Sequence, residues 1–156
     1  MKKQIVDFCR EHPEITVGEA IPRLELEPTP SIIKLEGRLL LYGVPDFKGN
    51  NNYIFSKECK IIFPGLVPFI QNFEMNSPIG VAKVIEDDKG LLFTADVLRI
   101  GWFYSSDIGD TCGVGGFYKL IKTHCTGGTI IIDEASLSAI SFTLAPVNEA
   151  YVARVI

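Results

Sequence analysis

The chain has 156 residues, the size of one ordinary domain, and two separate cores would hardly fit in that length. With 47% hydrophobic and 22% charged residues it lies far from the composition of a disordered chain. Fifteen Lys and Arg against 19 Asp and Glu leave a net charge of −4. The basic residues are scattered singly, which argues against a surface that tracks nucleic-acid phosphates.

The longest strongly apolar stretch without charge, residues 61–73, is too short for a bilayer span and carries Pro64 and Pro68. No membrane segment is expected. The start, Met1-Lys2-Lys3, is basic, but Asp7, Arg10 and Glu11 interrupt what would be a signal peptide's apolar region. A cytosolic origin follows. Cys9, Cys59, Cys112 and Cys125 are irregularly spaced with no C-x-x-C pair, so reduced thiols are expected and a metal site is not. His124 and Cys125 are neighbours, yet adjacent side chains diverge on a strand and would not share one ion. No cofactor is expected.

Lys3 to Glu11 places Ile5, Val6, Phe8 and Cys9 on one side at helical spacing, and His12-Pro13 ends the helix. Residues 13–31 then carry Pro13, Pro22, Pro28 and Pro30 among acidic residues, a pattern that no helix interior or central strand accommodates. This predicts an extended arm, which either lies on a neighbouring subunit, with Pro28 and Pro30 as contacts, or wraps its own domain. Residues 1–31 thus form a helix and arm, and 32–156 the main domain. Ile32 to Tyr42 reads as a long strand with Gly37 as a bulge, and Gly43 to Asn52 as turn chemistry. Ile79 to Glu86 and Leu91 to Leu98 flank the hairpin turn Asp87-Asp88-Lys89-Gly90. Residues 99–128, with seven glycines, carry no clear assignment. Thr129 to Asp133, Leu137 to Leu144 and Tyr151 to Val155 read as strands, the last after a corner at Ala145 to Asn148. The fold class is therefore mainly β with few short helices, a β-barrel or strongly curved sheet.

Several segments, in order, resemble the tailed-phage prohead (capsid-maturation) serine protease family, whose barrel is shared with herpesvirus assembly proteases. Leu35-Glu36-Gly37 with Gly43-Val44-Pro45-Asp46 and Gly49 resembles its first strand and following turn. Val67 to Glu74 followed by Pro78-Ile79-Gly80 resembles its "V-P-L-L-W-Q-H-D … P-I-G" segment, and Glu86 to Leu91 its next hairpin. Gly113 to Tyr118 resembles "G-L-S-I-G-F", and Leu137 to Phe142 with Pro146 and Asn148 the C-terminal "L-W-E-V-S-L-V-T-x-P-A-N". The resemblance spans about residues 32–155 and implies a prohead-protease-like barrel.

It also implies where catalysis would sit. Such proteolysis needs a hydroxyl nucleophile, a histidine base and usually an orienting acid. The histidine position falls on Phe73, or Asn72 in a shifted alignment; the serine on Gly115, or Gly113; the acid on Ala139. None of these side chains supplies the required chemistry, so no catalytic residue is expected. Two substitutes are open to test, Cys112 as nucleophile and His124 as base; Ser105, Ser106, Ser136, Ser138 and Ser141 read as turn or strand residues. The family's long helix is here replaced by residues 101–110, aromatic and broken by glycine. Trp102, Phe103 and Tyr104 include at least one ring that cannot face the core, which marks an interface or a rim of core aromatics.

The resemblance with its emptied positions implies an inactive protease relative serving as an auxiliary or decoration subunit of a viral capsid, or as an internal assembly factor. Its partners would be the major capsid protein and copies of itself. It would reside in the virion, and in the host cytoplasm during assembly. The alternatives are an active maturation protease of capsid or scaffold protein, and an unrelated β-barrel binding module.

Overall fold

Alternating side chains from Ile32 onward feed one continuous sheet. The computed structural model describes residues 2–25, 31–48 and 51–156. Among the described residues the strands are β1 (Ile32–Leu41), β2 (Pro45–Lys48), β3 (Asn51–Ile62), β4 (Leu66–Gln71), β5 (Glu74–Glu86), β6 (Gly90–Leu98), β7 (Thr111–Thr126), β8 (Thr129–Thr143) and β9 (Val152–Val155). Pairing runs β8-β4-β5-β6-β1-β9-β7 and returns from β7 to β8, so these strands close a barrel. The expected mainly β barrel with few short helices is thus what the chain forms. β8 is long enough to serve two neighbours on one side: Ile140–Phe142 takes β4 and Thr129–Ser136 takes β3, both in parallel. β2 folds back antiparallel on β3.

Closure depends on β9. It pairs through Val155, Arg154 and Ala153 with β1, and through Arg154, Ala153 and Val152 with β7. β1 approaches so closely there that a β-carbon on Gly37 would lie 2.1 Å from the Val152 carbonyl oxygen. Gly37 is therefore a crossing point, and the register shift expected at it falls between Arg38 and Leu40 instead. The residue before β9, Tyr151, is buried to 1% exposure. Its hydroxyl donates to Asp46 Oδ1 at 2.8 Å and accepts from the Leu41 N–H at 3.1 Å. Asn148 donates to the same Asp46 oxygen at 3.3 Å. One buried polar cluster thus joins β1, β2 and the corner that leads into β9.

Several expectations are corrected. Residues 13–31 are not one extended arm, because Val17–Arg23 form helix α2, which follows α1 (Lys2–Glu11). Thr16 and Glu19 make a reciprocal capping box that starts this seven-residue helix, and Pro22 stands inside it. Ile5, Cys9, Val17, Ala20 and Ile21 form a second core with Val81 and Leu98 on the outside of the barrel. The described part of the N-terminal segment therefore packs on its own domain, while Pro28 and Pro30 lie outside the described residues. The stretch read as turn, Gly43 to Asn52, includes strand β2, since Asp46 and Phe47 are drawn in by Tyr151 and by a backbone bond from Phe47 N–H to the Val147 carbonyl. β3 and β4 escaped the sequence reading because Lys57, Glu58, Lys60, Pro64 and Pro68 break their patterns. Residues 99–128 resolve into a 3-10 turn at Gly101–Ser105 and strand β7, and the two short strands read at 129–144 are one, β8. No helix among the described residues is long and apolar enough to cross a membrane.

Two predictions come from the buried cluster. Tyr151→Phe leaves Asp46 and the Leu41 N–H each short of a partner, and is expected to lower the unfolding free energy by about 2–3 kcal/mol in urea denaturation. Burial raises the Asp46 carboxyl above the ordinary range, opposed by its bonds from Tyr151 and Asn148. A carboxyl raised on folding contributes stability below its ordinary pKa and loses it as pH rises through the folded value. Asp46→Asn, which keeps an acceptor oxygen and never ionises, is expected to gain stability relative to the parent as pH rises above about 4. Parallel stability–pH curves for the two proteins would contradict this.

Candidate functional site

The β4–β5 hairpin turns in two residues. Gln71 pairs with Glu74, leaving Asn72 and Phe73 at φ values of 49° and 58°. Two successive left-handed residues make the tight turn that suits strand twist. Asn adopts this readily, whereas a β-carbon as in Phe73 costs on the order of 1–2 kcal/mol. β8 holds the turn in place: the Asn72 N–H donates to the Phe142 carbonyl at 3.1 Å and the Phe73 N–H to Ser141 Oγ at 2.7 Å. Ser141 Oγ in turn donates to the Phe142 carbonyl at 2.9 Å.

Ser141 pairs across the ladder with Gly115 of β7, and the Phe73 ring covers that glycine. A β-carbon on Gly115 would lie 2.8 Å from the ring's Cζ. Ala139, fully buried, precedes Ser141 by two residues on β8, opposite Phe117. Phe73, Gly115 and Ala139 therefore occupy one neighbourhood, with Phe73 and Gly115 in contact. Chemically the place is spent. Among these three and Ser141 there is no imidazole, thiol or carboxylate, and the one hydroxyl is used both as donor and as acceptor. Sequence reasoning placed Ser141 on a strand face and missed its role; the pairing that brings it to the Phe73 amide is visible only in three dimensions.

The substitutes do not meet. Cys112 is buried where β7 pairs with β9, and burial pushes its thiol up to about 12, which leaves it protonated and unreactive near neutral pH. His124 stands near the far end of the same strand, on the order of 40 Å away at extended spacing. There its Nδ1 lies 2.6 Å from Asp133 Oδ2. Ser56 shares that depression, but β8, which carries Asp133, runs between the strand of Ser56 and the strand of His124. A triad needs the histidine between hydroxyl and acid, so the order is wrong. Ser106 Oγ donates to the Trp102 carbonyl and Ser138 Oγ to the Phe117 carbonyl.

The aromatic run divides as its crowding suggested. Phe103 is fully buried against Phe69 and Phe142, Trp102 is stacked on Phe142 at 5.6 Å, and Tyr104 is 72% exposed. Because Phe142 also holds the Asn72 amide, Trp102 and the partly exposed Phe73 belong to one end of the barrel. Set against known proteins, the chain matches no family model and no curated sequence.

The contact between ring and glycine sets a testable coupling. Gly115→Ala is expected to cost about 1–2 kcal/mol with Phe73 present, because the ring must leave its seat. In a Phe73→Ala background the same change should cost about 1 kcal/mol less, read as the interaction energy of a double-mutant cycle by urea unfolding.

Proposed function

We propose that this chain is a catalytically inactive relative of the prohead proteases that serves as an auxiliary or decoration subunit of a viral capsid. The observation that carries the reading is the contact of Phe73 with Gly115. The two positions to which the resemblance assigns the base and the nucleophile are adjacent in space, as a protease ancestry requires, and a hydrocarbon ring fills the gap between them. Ala139, at the acid position, stands two residues from Ser141 on β8, opposite Phe117. A scaffold kept with its reacting groups replaced by packing has binding as its remaining work.

In this reading the barrel contacts the major capsid protein and copies of itself. Trp102 and Tyr104 supply exposed aromatic area of the kind that anchors interfaces. Phe103 belongs to the core and supports Trp102, with ring centroids 5.0 Å apart. The subunit would be found in the virion, and in the host cytoplasm during assembly. The separation of Cys112 from His124 weighs against the alternative of an active maturation protease.

Mass spectrometry of purified mature particles tests the proposal. The expected result is the intact chain in a copy number compatible with the symmetry of the major capsid protein; an absent or truncated chain points to an assembly-stage protease or scaffold. Purified protein incubated with capsid or scaffold protein is expected to cleave neither. Cleavage that disappears on His124→Ala would overturn the inactive reading.

A further inference from the structure

Beside the Phe73–Gly115 contact lies a half-open pocket of about 600 Å³, between the β2–β3 strands and the corner before β9. That volume falls in the range of small-molecule sites, which are mostly apolar with a few placed polar groups. Phe47, Tyr53, Phe55, Phe73 and Phe117 give it ring surface. Asp46 is the only charged residue of its lining among the described side chains.

Asp46 is 4% exposed, and its carboxyl is only half paired. Both of its bonds, from the Tyr151 hydroxyl at 2.8 Å and the Asn148 amide at 3.3 Å, fall on Oδ1; none reaches Oδ2 among the described residues. Both donors are uncharged, and a carboxylate held this deep is costly until a cation or further donors meet it. Oδ2 is also reachable. The Tyr118 hydroxyl is the only side-chain polar group among the described residues that is both unpaired and sealed from solvent. The unpaired Oδ2 therefore keeps open surface, on a residue that lines the pocket. Because Tyr151 also accepts from the Leu41 N–H, the carboxyl is held in place before any guest arrives.

We propose that this pocket binds a free primary amine with an aromatic body, taken up as the ammonium ion, with the charged nitrogen donating to Asp46 Oδ2 and the ring among the aromatic side chains. An ammonium supplies both things the carboxyl lacks, a donor and an opposite charge. Ring faces attract a cation, and ring walls favour an aromatic guest over an alkyl one through edge and offset contacts. Burial raises the Asp46 carboxyl above its ordinary range, and a neighbouring cation favours the ionised form that pairs with it. An anion would meet no basic group among the described side chains of the lining. The proposal does not depend on the capsid reading, and its failure would leave that reading untouched.

NMR titration of the full chain with benzylamine and with benzyl alcohol, its uncharged counterpart of similar size, tests it at about pH 7, where a primary amine is protonated. Benzylamine is expected to shift the Asp46, Gly115 and Val147 amides and to bind about tenfold more tightly than benzyl alcohol, the margin of a charged over a neutral hydrogen bond. Asp46→Asn, which keeps an acceptor for Tyr151 and Asn148, should bring the two probes within about twofold of each other. Tyr118→Phe removes only the sealed hydroxyl and should leave the preference intact. Should Asp46→Asn fail to fold, Ala145→Trp, at an exposed position of the pocket wall, should weaken benzylamine severalfold. Tighter binding of Nα-acetyl-lysinamide than of benzylamine would overturn the assignment to a free aromatic amine and point to a lysine of a partner chain. No shifts at these amides at any benzylamine concentration the folded chain tolerates would overturn the site itself. So would a benzylamine preference that survives Asp46→Asn.

Discussion

The barrel closes through four residues. Val152–Val155 is the sole ladder between β1 and β7 among the described residues, and it is short because the two strands converge only where Gly37 lacks a side chain. Strand pairing of that length would fray alone, and the Tyr151 hydroxyl anchors it from inside. By donating to Asp46 and accepting from Leu41, Tyr151 ties the closing strand to β1 and β2 in the interior, where competing water is excluded. The position of β7 follows from that closure, and with it the seat of Gly115 against Phe73.

At the candidate site the one hydroxyl, that of Ser141, is committed to structure. Phe73 accepts an unfavourable left-handed backbone, and three interactions hold it there: the bond to Ser141, the bond from Asn72 to Phe142, and the packing of its ring on Gly115. Strain of this sort persists only where the surroundings over-determine it. Here those surroundings are β8, which pairs with β4 on one side and β7 on the other. The site is thus welded into the barrel, which is consistent with a binding role built on a rigid frame.

Much of the fold was legible along the chain. The hairpin at Asp87–Gly90 announced itself by its turn residues Asp87-Asp88-Lys89-Gly90; in the structure Asp87 caps that turn through the Lys89 and Gly90 N–H groups and also takes the Arg38 guanidinium in a two-pronged pair at 2.8 Å. The first helix was legible from its apolar spacing. Helix α2 was not, because Pro13, Pro22, Pro28 and Pro30 read together as an extended arm while the Thr16–Glu19 capping box that starts the helix went unread. β3 and β4 were obscured for a different reason: β3 extends the sheet beyond the barrel and carries Lys57, Glu58 and Lys60, and β4 carries Pro68 within its ladder to β5. For the site, the resemblance singled out Phe73, Gly115 and Ala139, while Ser141 and Tyr118 carried no linear signal, since a strand serine and a strand tyrosine look alike whether or not their hydroxyls are satisfied.

By itself, then, the sequence determined the class of architecture and the side chains available at each position. Composition and alternation demand a β-rich core, and Phe, Gly and Ala at three positions cannot move a proton or attack a carbonyl wherever they are placed. Tertiary structure alone decided which residues meet. Strand register, set by the burial of one face and by the closing strand, brings Phe73 over Gly115, keeps Cys112 far from His124 on one extended strand, and leaves the Tyr118 hydroxyl without a partner among the described residues. Those outcomes depend on pairings between residues distant in the chain, and no local pattern encodes them.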